Sequence, residues 1–519
     1  MSNLEISGGR DDRWNGVNLP LLAISAGFIL LFCALAIFDL DGLSAIIDIA
    51  FAASVRYLGL YWQVLMLATF AISIVLLFMP GSRVRLGGLA RPEFTTFQWA
   101  AMIMTTLLAG GGVFWAAGEP IAHYVTTPPY FGEATDPTLR AKIALAQAFL
   151  HWGFLAWAIL GSLTTIMMMH YHYDKGLPLA PRTLLYPVFR DRAINGWIGT
   201  IADAFCIISV VAGTVGPIGF LGLQLSYGLN ALFGVPDVFA TQCTVILLLV
   251  MVYTLSAITG LERGIQFMSR WNIILAFALL IFILVFGPTW SILSGFFGGM
   301  GVYLQNFVGM ASYRGDAGVF GDPRWLSWWT VFFWGWFIGY GPMMAIFVAR
   351  VSRGRTNRQI ILLLSIAAPL ITNFWFTIIG GTGIGLEQAA PGAISGPFEG
   401  FNLPAALLAI TSNLPFGFLV SLLFLVLTMF FVATTSDSMS YVISTSMSQG
   451  EPSAKIRAFW GIAMGVMALI LIATSAGGID KLQSFIVITA VPVSLILLPS
   501  LWDAVRITRE LGRTAGRSA

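Results

Sequence analysis

Between Trp328 and Tyr340 the sequence reads WWTVFFWGWFIGY, eight aromatic residues among thirteen with no charge. Ring faces grouped in this way bind a quaternary ammonium group. Such a group has no hydrogen-bond donor to offer a carboxylate or carbonyl, and its diffuse positive charge is drawn to the negative face of a ring. Trp and Tyr also collect at bilayer boundaries as an interfacial belt. Position favours the cage over the belt. The run continues through Gly339, Gly341 and Pro342 to Arg350, the first cation after a long uncharged interval, so Trp334 to Tyr340 lie near mid-span.

A second chemical element is the run Ala109, Gly110, Gly111, Gly112, which leads into VFWAAGEP and ends at Pro120. Each glycine weakens a helix by roughly 1 kcal/mol relative to alanine. Two uses fit: close helix packing through small residues, or an unwound stretch whose free amides and carbonyls face a ligand. Repetition favours the second, because the hydrophobic segments holding residues 110 and 339 both combine a glycine interruption with tryptophan and a Gly-Glu-Pro or Gly-Pro turn. In a third place, Phe431, Thr434, Thr435 and Asp437 bring hydroxyls and a carboxylate into an apolar segment, where an ionisable residue is expensive. Hard oxygen ligands suit sodium; the competing reading is that the two threonines bond back to helix carbonyls. Asp437 is expected to cap a neighbouring helix. The four histidines, by spacing, form no metal cluster. His151 adjoins Trp152 and is placed to donate across helices, and His170 and His172 follow it in the same segment. Glu119 and Pro120 read as the terminator of their helix, with ordering of an outer gate as the alternative role for Glu119.

The elements that must hold these groups are set by composition. With 57% hydrophobic residues, 10% charged and a mean hydropathy of +0.84, the 519-residue chain is a polytopic membrane protein. A net charge of +3 over that length gives no reason to expect a nucleic-acid partner. Cys33, Cys206 and Cys243 all lie in apolar runs and read as buried small hydrophobes, not as a disulfide framework or metal motif. There is no P-loop, which argues against an ATP-driven pump, and no other cofactor motif. The polar, mixed-charge start MSNLEISGGRDDRWNG reads as a short tail without a cleavable signal.

A window of about 20 apolar residues gives twelve spans, at 19–38, 59–79, 97–118, 142–170, 198–222, 239–260, 270–292, 326–349, 359–380, 415–446, 457–475 and 484–502. Cations concentrate in alternate connections: Arg10 and Arg13; Arg83, Arg85 and Arg91; Lys175, Arg182, Arg190 and Arg192; Arg263 and Arg270; Arg350, Arg353, Arg355 and Arg358; Lys455 and Arg457; and four arginines after Trp502. The positive-inside rule therefore places both termini in the cytoplasm and the chain in the cytoplasmic membrane. The long outer connections 293–325 and 381–414 each have room for an amphipathic helix on the membrane surface. The glycine-broken segments are five spans apart, as inverted repeats would place them. The expected division is a tail (1–18), two peripheral helices with a linker (19–96), a first five-helix repeat (97–292), the outer connection (293–325), a second repeat (326–502) and a tail (503–519).

The run WTVFFWGWFIGYGPMMAIFVARVSRGRT (329–356) closely resembles the signature of the betaine/carnitine/choline transporter family. VFWAAGEP (113–120), His151-Trp152 with Trp157, and FFVATTSDS (430–438) extend the resemblance over nearly the whole chain. It implies twelve spans, a leucine-transporter-type core of two inverted five-helix repeats, and secondary transport of methylammonium osmolytes. Coupling to sodium and assembly as a homotrimer are implied in the same way. Carried over by residue, the substrate box falls on Trp152, Trp157 and Leu160 and on Trp334, Trp336, Phe337 and Tyr340, with Gly110, Gly111 and Gly112 at the glycine break. The sodium ligands fall on the hydroxyls of Thr434 and Thr435 and the carbonyls of Phe431, Thr105 and Leu108. Leu160 stands where most members have tyrosine, Trp336-Phe337 and Tyr340 replace a tryptophan pair and a further tryptophan, and the glycines are contiguous. These departures keep a cation-attracting box but change its size and polarity. The expected activity is sodium-coupled uptake of a small quaternary-ammonium or related zwitterion of the betaine, carnitine, choline, dimethylsulfoniopropionate or trimethylamine N-oxide type. A sodium-independent antiporter and a proton-coupled choline carrier are the alternatives. A membrane enzyme lacks a catalytic constellation. Short terminal segments lead to the further expectation of little activation by hyperosmotic stress.

Overall fold

A computed structural model describes residues 17–108, 111–259, 262–315, 324–448, 452–475 and 478–518. The apolar runs form helices, and local chemistry sets where they begin. Helix α1 (Leu19–Phe38) starts where Asn18 accepts the Leu21 amide at 3.2 Å. Helix α2 (Leu40–Phe78) starts where Asp39 accepts the Gly42 amide at 2.8 Å. At 1.5 Å per residue, the 39 residues of α2 run about 58 Å, well beyond a hydrocarbon core of about 30 Å. The predicted span 59–79 is only its apolar half. The half carrying Asp41, Asp48 and Arg56 is helical as well, and Lys481 pairs there with Asp48.

The third predicted span is divided into α3 (Thr96–Leu108) and α4 (Gly112–Val125). Pro120 does not terminate α4, contrary to the sequence reading: the helix passes through it to Val125. Proline removes one amide, that facing the Ala116 carbonyl. The backbone of Gly380 packs at that point, where a Cβ would lie 2.6 Å from the Ala116 oxygen. The fourth span is also divided, between α5 (Pro137–Trp152) and α6 (Phe154–Met169). Gly153 between them leaves the helical region, and a Cβ there would lie 2.3 Å from the Phe149 oxygen. The chain is thus interrupted immediately after Trp152.

Helix α7 (Trp197–Phe233) runs without a break until Gly234, whose φ of 71° ends it in the left-handed region. It is followed by α8 (Phe239–Thr259) and α9 (Glu262–Phe286). At Gly287-Pro288 the chain bends by 103° into α10 (Thr289–Gln305), which runs into the connection 293–325. Helix α10 lies against α5, with Phe296 and Phe149 rings 6.1 Å apart. Helix α11 (Arg324–Val351) carries the aromatic run and α12 (Asn357–Ala389) follows. The connection 381–414 includes a short apolar helix, α13 (Leu403–Ser412), whose Leu403 packs on Gly118 of α4. Helices α14 (Gly417–Ser446), α15 (Ala454–Thr474), α16 (Asp480–Leu497) and α17 (Ser500–Ser518) complete the chain.

Among the described residues ten helices are long and apolar enough to cross a membrane, or eleven if the bent α9–α10 pair counts as one crossing. The predicted span that neither count includes is α3–α4, whose halves of 13 and 14 residues are each too short alone. Among the described residues there is no β-strand, and the β pairing consists of two isolated bridges, Val17 to Ser448 and Arg85 to Thr356.

The second of those bridges belongs to a latch. Arg85 donates to the Gly354 carbonyl at 2.7 Å, and the Arg355 guanidinium donates to the Phe94 carbonyl at 2.8 Å and the Thr96 hydroxyl at 3.1 Å. The same guanidinium lies 4.6 Å from the Trp99 ring centroid, and the Trp99 indole N–H donates to the Ser352 hydroxyl at 2.9 Å. Burial and the neighbouring Arg85 charge hold the Arg355 guanidinium below its ordinary pKa. The RGRT element thus binds the α2–α3 linker to the end of α11.

Candidate functional site

The site is where the two broken helices meet α11. Phe332, Trp336 and Tyr340 recur every four residues on α11, as do Phe333 and Phe337, so one helical face carries five rings. Trp152, at the end of α5, packs into that face. Its ring centroid lies 5.3 Å from Phe333, 6.0 Å from Trp336 and 5.3 Å from Phe337. Phe376 of α12 adds a ring 5.0 Å from Trp152, and Phe220 of α7 adds one 6.0 Å from Trp336.

Glycine admits these rings to the backbone. A Cβ on Gly111 would lie 2.6 Å from the far edge of the Trp336 indole and 3.2 Å from that of Trp152. A Cβ on Gly213 would lie 2.1 Å from the Tyr340 ring. Polar atoms then fix orientation: the Trp336 indole N–H donates to the Gly213 carbonyl at 3.1 Å, and the Tyr340 and Thr214 hydroxyls bond at 2.9 Å. The Gly112 carbonyl accepts the Trp375 indole N–H at 2.8 Å. Helix α4 begins at Gly112 with no side-chain cap, and the first amides of a helix have no partner within it.

Of the residues that the resemblance assigns to the box, Trp152, Trp336, Phe337 and Tyr340 come together around Gly111 and Gly213. Trp157 turns to α12, where its indole N–H donates to the Thr372 hydroxyl at 2.9 Å. Leu160 is buried on α6 beside Gly161. Trp334 is fully buried, but neither it nor Trp157 has a ring contact among the described residues. Gly110 lies outside the described residues. Phe333, Phe376 and Phe220 join the cluster unannounced. For Phe333 the signal was its i, i+4 relation to Phe337; for the other two the sequence holds none.

A polar network borders the rings. Glu119, His123 and His151 are fully buried and lie together, with ligand atoms within 4.8 Å of one another, a grouping that the spacing of the histidines did not announce. Glu119 and His123 are one turn apart on α4, while His151 reaches them from the end of α5. The Glu119 carboxylate accepts the Trp152 indole N–H at 2.8 Å and meets His151 Nδ1 at 2.5 Å and His123 Nε2 at 3.3 Å. The bond expected from His151 across helices is therefore present.

In α14 the Thr434 hydroxyl donates to the Phe430 carbonyl at 2.7 Å and lies 3.3 Å from that of Phe431, while the Asn272 amide reaches Thr434 Oγ1 at 3.4 Å. Thr435 is buried, and its hydroxyl has no hydrogen-bond partner among the described residues. The Thr105 hydroxyl bonds back to the Ala101 carbonyl at 2.8 Å, and Leu108 is the last residue of α3. No hydrogen bond among the described residues joins Thr105 to Thr434 or Thr435. Asp437 has a structural role, through an ion pair with Arg457 at 3.2 Å that ties α14 to the first turn of α15, while the side-chain cap of α15 is Ser453.

An all-helical, polytopic membrane protein with an uncharged ring cluster at a break in one of its spans has the build of a broken-helix transporter. The family described as BCCT, betaine/carnitine/choline family transporter, matches residues 20–513. "Glycine betaine transporter 2" of Vibrio parahaemolyticus is 59% identical over 498 residues, covering 96% of this chain and 91% of the relative. "Glycine betaine transporter OpuD" of Bacillus subtilis is 33% identical over 85% of this chain and 84% of its own length. The "Ectoine/hydroxyectoine transporter" of Virgibacillus pantothenticus is 28% identical over 93% of this chain and 95% of its own. The chain belongs to the betaine/carnitine/choline transporter family; it is a multi-pass membrane transporter and not an enzyme.

Proposed function

We propose that the protein imports a small quaternary-ammonium zwitterion of the glycine betaine type across the cytoplasmic membrane, driven by sodium and operating by alternating access. The observation that carries this is the meeting of Trp152, Trp336, Phe337 and Tyr340 at the Gly111 and Gly213 backbone. Rings packed there have faces for a trimethylammonium group, each contact contributing about 0.5 to 2 kcal/mol. The uncapped first turn of α4 suits the carboxylate end of the same substrate. Two of the relatives described above bear the name of glycine betaine transporters, which supports betaine over carnitine or choline.

For sodium, the oxygen set is that of Thr434, Thr435 and the carbonyls of Phe431, Thr105 and Leu108. The unpartnered Thr435 oxygen fits a hard cation, and a Thr434 hydroxyl that donates its proton to a carbonyl keeps an oxygen lone pair. Residues 97–292 and 326–502 would move as the two inverted repeats, with both termini cytoplasmic and the molecule a homotrimer.

Uptake of labelled glycine betaine by proteoliposomes tests the reading. Accumulation driven by an imposed sodium gradient, competed by betaine analogues, is the expected result. Exchange that persists without sodium, or accumulation driven by a pH gradient alone, would replace sodium coupling with antiport or proton coupling. Glycine betaine that neither enters nor competes would remove the substrate assignment.

A further inference from the structure

Glu119 touches the ring cluster through one atom, the Trp152 indole nitrogen. Among the described residues its other partners are the two histidines, with no Lys or Arg. The far nitrogen of the His151 ring, Nε2, meets the Gln147 amide nitrogen at 3.0 Å and the Thr330 hydroxyl at 2.9 Å. An amide nitrogen only donates, so Nε2 accepts and the ring proton is on Nδ1, aimed at Glu119. The carboxylate therefore faces the N–H groups of Trp152 and His151 on separate oxygens, while the His123 contact at 3.3 Å can run in either direction. Two such donors on separate oxygens suit an ionised carboxylate, which only accepts. Among the described residues no Lys or Arg pairs with it to neutralise such a charge.

We propose that Glu119 is a positioning residue for the substrate's charge. Acting through the Trp152 indole, its fixed negative charge selects an ammonium cation over a neutral group of the same shape. A hydrogen bond from the indole N–H to an anion shifts electron density onto the ring and deepens the negative potential of its face. The sequence reading made Glu119 a helix terminator or a gate residue, neither of which involves the ring beside it. This inference rests on the cage described above and adds what sets its charge selectivity.

The same three side chains, with ligand atoms within 4.8 Å of one another, also have the composition of a two-histidine, one-carboxylate metal site. The hydrogen bonds favour the first role. A metal would need the Nδ1 lone pair of His151, and Gln147 and Thr330 already place the proton there.

The test compares glycine betaine with tert-butylacetate, its carbon isostere lacking the cation, in proteoliposomes of the full chain. Glu119→Gln keeps the size and removes the charge. It is expected to raise the KM for glycine betaine about tenfold with kcat within about twofold, while the inhibition constant of tert-butylacetate stays level or falls. Trp152→Phe, which leaves Glu119 in place but removes the connecting N–H, should lower the same selectivity, and adding Glu119→Gln to it should change little more. A Glu119→Gln protein that weakens both ligands alike, or an effect that is fully additive with Trp152→Phe, would overturn the proposal. So would stoichiometric Zn²⁺ binding by the purified wild-type protein that His123→Ala abolishes. If Trp336→Ala leaves glycine betaine uptake intact, the cage itself fails; if Trp336→Ala cripples uptake while Glu119→Gln leaves selectivity unchanged, this inference alone fails.

Discussion

Trp336 is held at two places, by its N–H on the Gly213 carbonyl and by its far edge against Gly111. Its truncation therefore removes a ring from the cage and a contact between α4, α7 and α11. Trp336→Ala should raise the KM for glycine betaine roughly two- to thirtyfold, the range that a single cation–π contact spans, with membrane insertion unchanged by fluorescence size-exclusion. A normal KM would show that the ring is packing only. The hydroxyls of Thr434 and Thr435 differ: Thr434 bonds back to its helix, and Thr435 has no hydrogen-bond partner among the described residues. The double variant Thr434→Ala/Thr435→Ala should raise the sodium concentration for half-maximal uptake several-fold while substrate affinity at saturating sodium changes less. Unchanged sodium activation would assign both hydroxyls to helix packing.

Among the elements, the RGRT latch shows why a glycine stands where it does. Gly354 has φ +77°, a conformation that L residues rarely adopt, and a Cβ there would lie 2.3 Å from the Arg91 carbonyl. Gly354→Ala should cost about 1 to 3 kcal/mol, read as a lower melting temperature and faster proteolysis of the 83–96 linker. Wild-type stability would mean that the linker shifts without cost. The motif was legible in the sequence as a specific string, but its partners were not. Phe94, Thr96 and Trp99 lie more than 250 positions from Arg355, Thr96 being 259 residues away. Local periodicity contains no information about such pairs.

For the molecule as a whole, the end of the chain is anchored to its first third. Tyr171 donates to Asp503 at 2.8 Å, Arg506 donates to Asp503 at 2.7 Å, and α17 runs past the turn after α2 so closely that a Cβ on Gly81 would lie 1.8 Å from the Thr508 carbonyl. Gly81→Ala should displace α17, with increased cleavage after Arg509 and Arg513 by trypsin and a loss of about 1 to 3 kcal/mol of stability. An unaltered digestion pattern would show that the contact adapts. The expectation from sequence of a C-terminal tail at 503–519 thus gives way to a helix from Ser500 to Ser518 with defined contacts through Thr508 and Gly512.

Hydropathy and glycine are properties read along a line, so the apolar segments, their order, the break before Gly112 and the ring-rich face of α11 were determined by the sequence alone. Lipid admits long uncharged helices almost regardless of their neighbours, which makes those features independent of packing. Which rings meet was decided by the tertiary structure, because it depends on how each helix is rotated about its axis. Trp157 and Trp334 are as aromatic as Trp152 and Trp336, yet the break at Gly153 and the orientation of α11 turn only the latter pair towards Gly111. The Glu119, His123 and His151 network was hidden for the same reason. Two of its members are a helical turn apart and could be paired by spacing, but the third is joined to them only when α4 and α5 pack, and that contact places a carboxylate against the indole of Trp152.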